Sequence, residues 1–301
     1  MLAYDFVHTQ REKYDIIAVD RSECDITSFE SVMQCIALHS PDVLLNCAAY
    51  TAVDDAEDIG MKACFDVNTL GVHNLAKATS VFGVEFITIS TDYVFDGKKE
   101  TGYLPTDECN PIGAYGMSKY LGEQLAIDEN PRTIIVRTSW LYGWEIYDGN
   151  PEKKWVFKNF VNTMLRLSET RDELKVVADQ HGIPTSCVDL SFAISELINR
   201  IDDVLDEGKC IFHFSSSCEE NSITWADFAC HIFSLTWKET QVIDCTMAEY
   251  PTKARRPAFS ILQNDSDILL PDWKIGLAEY LRELNLEKIP FSIKYRPYIL
   301  S

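Results

Sequence analysis

A doubly wound α/β fold, with a parallel sheet covered by helices on both faces, is what this sequence predicts, and three observations carry it. Short runs of β-branched and apolar residues alternate with segments of helical period through the first half of the chain. The strand runs are continuously apolar, as in strands buried on both faces, instead of alternating in polarity. The helical segments between them allow right-handed crossovers, which leave ligands at the C-terminal ends of the strands.

The elements follow in order. Residues 14–20, Tyr-Asp-Ile-Ile-Ala-Val-Asp, read as a buried strand ending in a carboxylate. From 28 to 39, Phe29, Val32, Met33, Ile36 and Ala37 recur at helical spacing. Residues 42–47 form a second strand, 61–82 a helix, 85–90 a strand, 115–128 a helix and 133–138 a strand. After Gly143 the rhythm loosens, and Gly, Asn, Pro and Lys over 149–154 predict a surface excursion. Beyond it come a helix over 157–169, a strand over 174–177, a loop over 179–185, a helix over 188–201, a strand over 210–214 and a helix over 224–235. The expected division is a dinucleotide-binding, Rossmann-like domain over 1–145. A smaller, interwoven and mainly substrate-binding domain follows over 146–301, with segments returning to the first.

Composition narrows the partners. The 301 residues suit one large domain, or a nucleotide-binding domain with a smaller companion, at ~100–200 residues per domain. Lys and Arg number 27 against 47 Asp and Glu, a formal charge of −20 that repels phosphate backbones and anionic membranes. A phosphorylated ligand would therefore need backbone N–H groups and a few well-placed cations. No apolar run reaches the ~18–20 residues of a membrane span, and residues 1–15 lack a signal-peptide layout. The ten Cys contain no C-x-x-C pair, so free thiols in a reducing cytoplasm are expected. The six His form no metal-binding pattern.

The sharpest chemical feature is Tyr115-Gly-Met-Ser-Lys119 at a helix start, where i and i+4 spacing puts phenol and ammonium on one face. A phenol with pKa ~10 exchanges protons poorly at neutral pH, and a neighbouring ammonium is expected to lower that pKa. Ser90-Thr-Asp-Tyr-Val-Phe-Asp-Gly97 continues a strand and places the Thr91 hydroxyl at its C-terminal end, able to share a carbonyl oxygen with Tyr115. A solvated helix face and a hydroxyl bonded to local backbone are the plain alternatives, and each loses weight in the presence of the other motif.

Thr91, Tyr115 and Lys119 resemble the catalytic set of the extended short-chain dehydrogenase/reductases. Longer phrases resemble the dTDP-4-dehydrorhamnose reductase branch: Asp42-Val-Leu-Leu-Asn-Cys-Ala-Ala-Tyr-Thr-Ala-Val-Asp54, Ser90 to Gly97, Tyr115 to Lys119, Arg137-Thr-Ser-Trp-Leu-Tyr-Gly143, Asn159-Phe-Val-Asn-Thr-Met-Leu-Arg166, Asp179-Gln-His-Gly-Ile-Pro-Thr185 and Arg256-Pro257. They run in family order over nearly the whole chain. The resemblance implies hydride transfer from NADPH or NADH to C4 of a dTDP-linked 4-keto-6-deoxy sugar, giving dTDP-L-rhamnose for the cell envelope. It implies Tyr115 as proton donor, Lys119 on the nicotinamide ribose and Thr91 on the ketone. Thr91, Asp92 and Trp140 match sugar-nucleotide contacts, and Arg256 would meet the pyrophosphate. For the cofactor it implies Asp20 on the adenosine ribose, Asp25 and Ile26 at the adenine, and Ala49, Tyr50 and Thr51 along ribose and pyrophosphate. Arg21 beside Asp20 favours a 2′-phosphate, so the choice between NADH and NADPH stays open.

The resemblance also admits a homodimer and, in some members, Mg²⁺ held by carboxylates between subunits. Asp5 could contribute here, but Val188 stands where a carboxylate is expected, so no metal is assigned. The family pattern opens with a strand and a Gly-rich turn at the pyrophosphate. Residues 1–8 match the helix after that turn, and Ala3 replaces its third glycine. A start site upstream of Met1 is the expectation. Two other functions stay open: reduction of another 4-keto sugar nucleotide, with residues 144–155 lining the pocket, and a non-catalytic regulatory subunit similar to the methionine adenosyltransferase beta subunit.

Overall fold

The structure is a computed structural model that describes residues 1–144 and 159–284. The expected excursion over 149–154, and the pocket loop over 144–155 beyond its first residue, lie outside the described residues.

Four parallel strands make the main sheet: β1 (Val43–Asn46), β2 (Glu85–Thr91), β3 (Thr133–Thr138) and, from the second half of the chain, β8 (Ile211–His213), in the order β1-β2-β3-β8. Adjacent residues on these strands go to opposite cores. Phe86 and Ile135 pack with the helices α2 (Phe29–His39), α4 (Val72–Phe82) and α5 (Ala114–Glu129) on one face. Ile87, Ile134 and Val136 pack with α1 (Leu2–Gln10), α7 (Cys187–Asn199) and α8 (Ile201–Asp206) on the other. That double cover is why the strand sequences are apolar throughout rather than alternating. Helix ends follow their cap residues: Ser28 accepts from Ser31 N to start α2, and Ser186 accepts from Val188 N and Asp189 N to start α7.

A second lobe packs beside the sheet. Its helices are α6 (Phe160–Leu167), α9 (Trp225–Thr236) and α10 (Trp273–Glu283), and β5 (Glu173–Val177) pairs in parallel with β10 (Gln241–Cys245). Short pairs tie the lobes together: β4 (Leu141–Tyr142) with β7 (Thr185–Ser186), and β6 (His181–Gly182) with β9 (Ile223–Thr224). Val161, Phe228, Ile232, Trp273 and Leu277 form its core. α9 begins with a capping box between Thr224 and Asp227.

Three expectations are corrected. The segment 14–20 is not a strand: it carries no ladder, and Ile17 (52%) and Val19 (40%) are exposed, while Tyr14 and Ile16 pack against the α1–α7 core. A buried strand needs hydrogen-bonded neighbours, and none of the described residues runs beside this one, since 2–10 are helical and β1 stands at the edge of the described sheet. The helix over 61–82 is three pieces, α3 (Met61–Phe65), a π-helical turn over Asp66–Gly71, and α4. The loop over 179–185 contains β6 and the start of β7, because its backbone groups find partners in β9 and β4.

Candidate active site

The C-terminal end of β2 turns directly into a 3₁₀ turn over Asp92–Val94, which Thr91 caps by accepting from Tyr93 N at 3.3 Å. α5 starts after Gly113 and lies against that turn. Gly116 allows the approach, since a Cβ there would sit 2.1 Å from Tyr93 O. Tyr115 is thereby brought beside Thr91, whose hydroxyl acts to lower the phenol's proton affinity. Thr91 Oγ1 also donates to Asp92 Oδ1 at 2.9 Å. The Tyr93 ring meets Tyr115 edge-on, with centroids 5.6 Å apart.

Electrostatics correct one expectation. Burial, with Asp92 and Tyr93 beside it, pushes the Tyr115 phenol above its ordinary value, and the neighbouring Thr91 hydroxyl offsets only part of this. Lys119 is not among the groups that chiefly set it. Its ammonium is turned into the fold, 4% exposed, and donates to Ile89 O at 2.6 Å. Burial pulls Lys119 down to about 8 against the opposing pull of Glu123. The i, i+4 spacing fixed the shared helix face, but the strand carbonyl at Ile89 captured the ammonium. Burial also pushes Asp92 up to about 6, against the hydrogen bond from Thr91 and the nearby Ser260 hydroxyl.

A residue that sequence reasoning missed holds this site to the loop after β1. Asn68 lies in the π-helical turn; its Oδ1 accepts from Tyr50 N at 2.8 Å, and its Nδ2 donates to Tyr50 O and Ser118 Oγ, each at 3.0 Å. Ser118 Oγ in turn donates to Tyr115 O at 2.7 Å. Single π turns are rare and gather at functional sites. The available signal was a buried Asn within an otherwise helical stretch.

The remaining candidates divide. Ala49 and Thr51 are exposed and Tyr50 half-buried in the loop at the C-terminal end of β1, on the same side of the sheet as Thr91. Asp20 is exposed, and its Oδ1 accepts from Ser22 N and Oγ at 2.7 and 2.6 Å. Those bonds hold Asp20 below the usual carboxylate range. Asp25 accepts from Thr27 in the same manner and from Arg21 at 3.4 Å, while Ile26 O accepts from Asn74. No hydrogen bond joins this turn to Tyr115 or Thr91 among the described residues. Trp140 adopts φ 49°, a strained conformation for a bulky residue, and stacks on Trp225 with centroids 3.4 Å apart. One of its faces is therefore covered by protein. Arg256 pairs with Asp54 at 3.0 Å and lies beside the Tyr93 hydroxyl.

The residues fit the nicotinamide-ribose end of a dinucleotide: an ammonium has three donors, and Lys119 uses one of them on Ile89 O, near the C-terminal end of β2. Asp20 Oδ2 is likewise open toward solvent. For metal, no group of three His, Cys, Asp or Glu residues assembles among the described residues. Asp5 accepts from Trp144 N at 3.1 Å and is pushed by burial up to about 7, while Val188 sits on the first turn of α7. No described helix is long and apolar enough to cross a membrane.

Comparison with known proteins follows the same lines. The RmlD substrate binding domain family matches residues 1–286. A dTDP-4-dehydrorhamnose reductase of Sinorhizobium fredii is 40% identical over 287 residues, covering 92% of each chain. The crystal structure of a dTDP-4-dehydrorhamnose reductase from Clostridium acetobutylicum superposes with a TM-score of 0.84 at 37% identity, covering 94% of this chain and 96% of that one. A Bacillus anthracis dTDP-4-dehydrorhamnose reductase in complex with NADP also gives 0.84, at 35% identity over 94% and 95% of the two chains. With Thr91, Tyr115 and Lys119 gathered at the end of a parallel sheet and relatives this similar along its length, the chain belongs to the RmlD substrate binding domain family.

Proposed function

We propose that this chain uses NADPH or NADH to reduce the C4 ketone of dTDP-4-dehydro-6-deoxy-L-mannose, giving dTDP-L-rhamnose, in the cytoplasm and as a homodimer. The observation that carries the reading is the Thr91 hydroxyl at the C-terminal end of β2 beside a half-buried, neutral Tyr115 phenol, with Lys119 one helical turn along α5.

A reduced nicotinamide supplies the hydride for C4, and the ketone oxygen gains the charge that a proton must neutralise. Tyr115 Oη is the group poised to donate that proton, because burial keeps the phenol protonated. Thr91 Oγ1 would turn its single hydroxyl proton from Asp92 Oδ1 to the same ketone oxygen, and the phenolate left on Tyr115 takes a proton back from water. Lys119 directs its two further donors to the nicotinamide ribose while Ile89 O fixes its position. Asp20, Asp25 and Ile26 serve the adenosine end, and Ala49, Tyr50 and Thr51 border the cofactor between. Asp92 and Trp140 contact the sugar nucleotide, and Arg256 meets its diphosphate.

The test is direct. The purified chain, mixed with dTDP-4-dehydro-6-deoxy-L-mannose and NADPH or NADH, should consume absorbance at the nicotinamide band and form dTDP-L-rhamnose. Absence of turnover with both cofactors refutes the reading.

A further inference from the structure

We infer that Asp54 is a positioning residue for the sugar nucleotide: it holds the guanidinium of Arg256, and with it the segment 253–257, ready for the diphosphate. The inference rests on the reductase reading above.

Asp54 and Arg256 stand 202 residues apart in sequence, so no local preference brings them together. Their contact is two-pronged: Arg256 Nη2 donates to Asp54 Oδ2 at 3.0 Å and Nη1 to Oδ1 at 3.4 Å. A bidentate pair fixes the plane of a guanidinium, where a single contact leaves it free to rotate. Asp54 Oδ1 also accepts from Ala254 N at 3.0 Å, and Lys253 Nζ donates to Asp58 Oδ2 at 3.0 Å. Asp54 thus grips the backbone of the segment as well as its Arg, and a second ion pair secures the segment's start.

The far side of the segment is seated too. Pro257 lies against Gly97, where a Cβ would come within 2.5 Å of Pro257 Cα. Phe259 N donates to Gly97 O at 3.1 Å.

Arg256 has five donors, and Asp54 occupies two. The Tyr93 hydroxyl lies beside Arg256 and Gln180, both of which act to lower its proton affinity. Tyr93 in turn faces Tyr115 edge-on at 5.6 Å. The guanidinium is therefore held one aromatic ring from the proton donor, between the loop after β1 and the second lobe. A diphosphate joining the sugar to its nucleoside is an anion whose oxygens suit the donors that Asp54 leaves open. Burial opposes ionisation of Asp54, but the N–H of Ala254 and the charge of Arg256 outweigh it and hold the carboxyl below its usual range. The clasp is charged at any pH at which the enzyme would work.

The test uses the full chain and the substitutions Asp54→Asn and Asp54→Glu. Titration calorimetry with dTDP, competition by thymidine, which lacks phosphates, and steady-state kinetics are run side by side with thermal melts. A charge-assisted hydrogen bond lost from the site corresponds to about a tenfold change in affinity. Asp54→Asn should therefore raise the Kd for dTDP and the KM for the sugar nucleotide about tenfold. Its kcat, its melting temperature and its competition by thymidine should hardly move, and Asp54→Glu should recover part of the loss. An unchanged Kd for dTDP overturns the inference, and so does tighter binding, which would make the carboxylate a competitor of the diphosphate. A wild-type chain that ignores dTDP overturns the reductase reading, and the inference with it.

Discussion

Replacing Tyr115 by phenylalanine separates the two things its side chain does. The ring packs edge-on against Tyr93 at 5.6 Å, and phenylalanine keeps that contact. Only the oxygen is lost, and with it at most one hydrogen-bonding contact with the neighbouring Thr91 hydroxyl. Thr91 Oγ1 retains Asp92 Oδ1 at 2.9 Å and Tyr93 N at 3.3 Å, so no buried polar atom is stranded. The cost to folding is then at most one net hydrogen bond, about 1 kcal/mol, or ~2–4 °C in the melting temperature of a chain this large. The cost to the reaction is the whole contribution of the general acid, ~10²–10⁴ in kcat. The assay follows nicotinamide absorbance under saturating sugar nucleotide, with a thermal melt and an NADPH titration on the same sample. A rate within threefold of wild type refutes Tyr115 as proton donor. So does a fall in rate that merely tracks unfolding.

Two further outcomes follow from the buried ionisable groups. Lys119 loses its charge as pH rises through about 8, so kcat/KM should fall on an alkaline limb near that pH; Lys119→Arg should move the limb out of range, and a profile flat to pH 10 counts against Lys119 as the ribose-holding cation. Asp5 is raised from 3.8 to about 7 by burial, so the folded chain binds the extra proton between those values, and stability falls as pH rises through that window and stays low above it. Asp5→Asn keeps an acceptor for Trp144 N and should melt higher than wild type at pH 8, by on the order of 2 kcal/mol; the two should converge at pH 4, and equal melting temperatures at pH 8 would show that Asp5 carries no burial penalty.

What the sequence made legible was what short-range physics decides. The strands at 85–91 and 133–138 and the helix between them stand out because each is an uninterrupted period, and Tyr115, Lys119 and Thr91 follow from placing motifs on those elements. The segment 14–20 shows the limit: an apolar run states that a strand could be buried, not that a neighbour is there to pair with it. The π-helical turn at Asp66–Gly71 leaves almost no trace in composition, because it changes the hydrogen-bond span of a few residues and not their polarity. Asn68 was missed for that reason. Nor did the spacing report desolvation. Tyr115 and Lys119 were correctly set on one helix face, yet their proton affinities are governed by how deeply the sheet and the loop after it enclose them. The clasp between Asp54 and Arg256 belongs to the same class, a contact created only when the second lobe folds back on the first.

The raised phenol at Tyr115 bears on the direction of the chemistry. A sugar hydroxyl being oxidised must lose its proton to a base, and Tyr115 could serve as that base only as phenolate. Burial and the neighbouring Asp92 both oppose the phenolate. A ketone being reduced needs the reverse, a neutral phenol that gives up its proton as charge develops on the carbonyl oxygen. Above about pH 6 Asp92 is ionised, and its charge favours the protonated phenol still more. The same enclosure that departs from the low-pKa phenol expected from the Tyr115–Lys119 spacing therefore leaves Tyr115 at neutral pH in the state that donates a proton, and short of the phenolate that oxidation starts from. At saturating substrates kcat for ketone reduction should hold steady from about pH 6 to 8 while kcat for alcohol oxidation climbs with pH, and an oxidation rate flat over that range would count against a neutral phenol at rest.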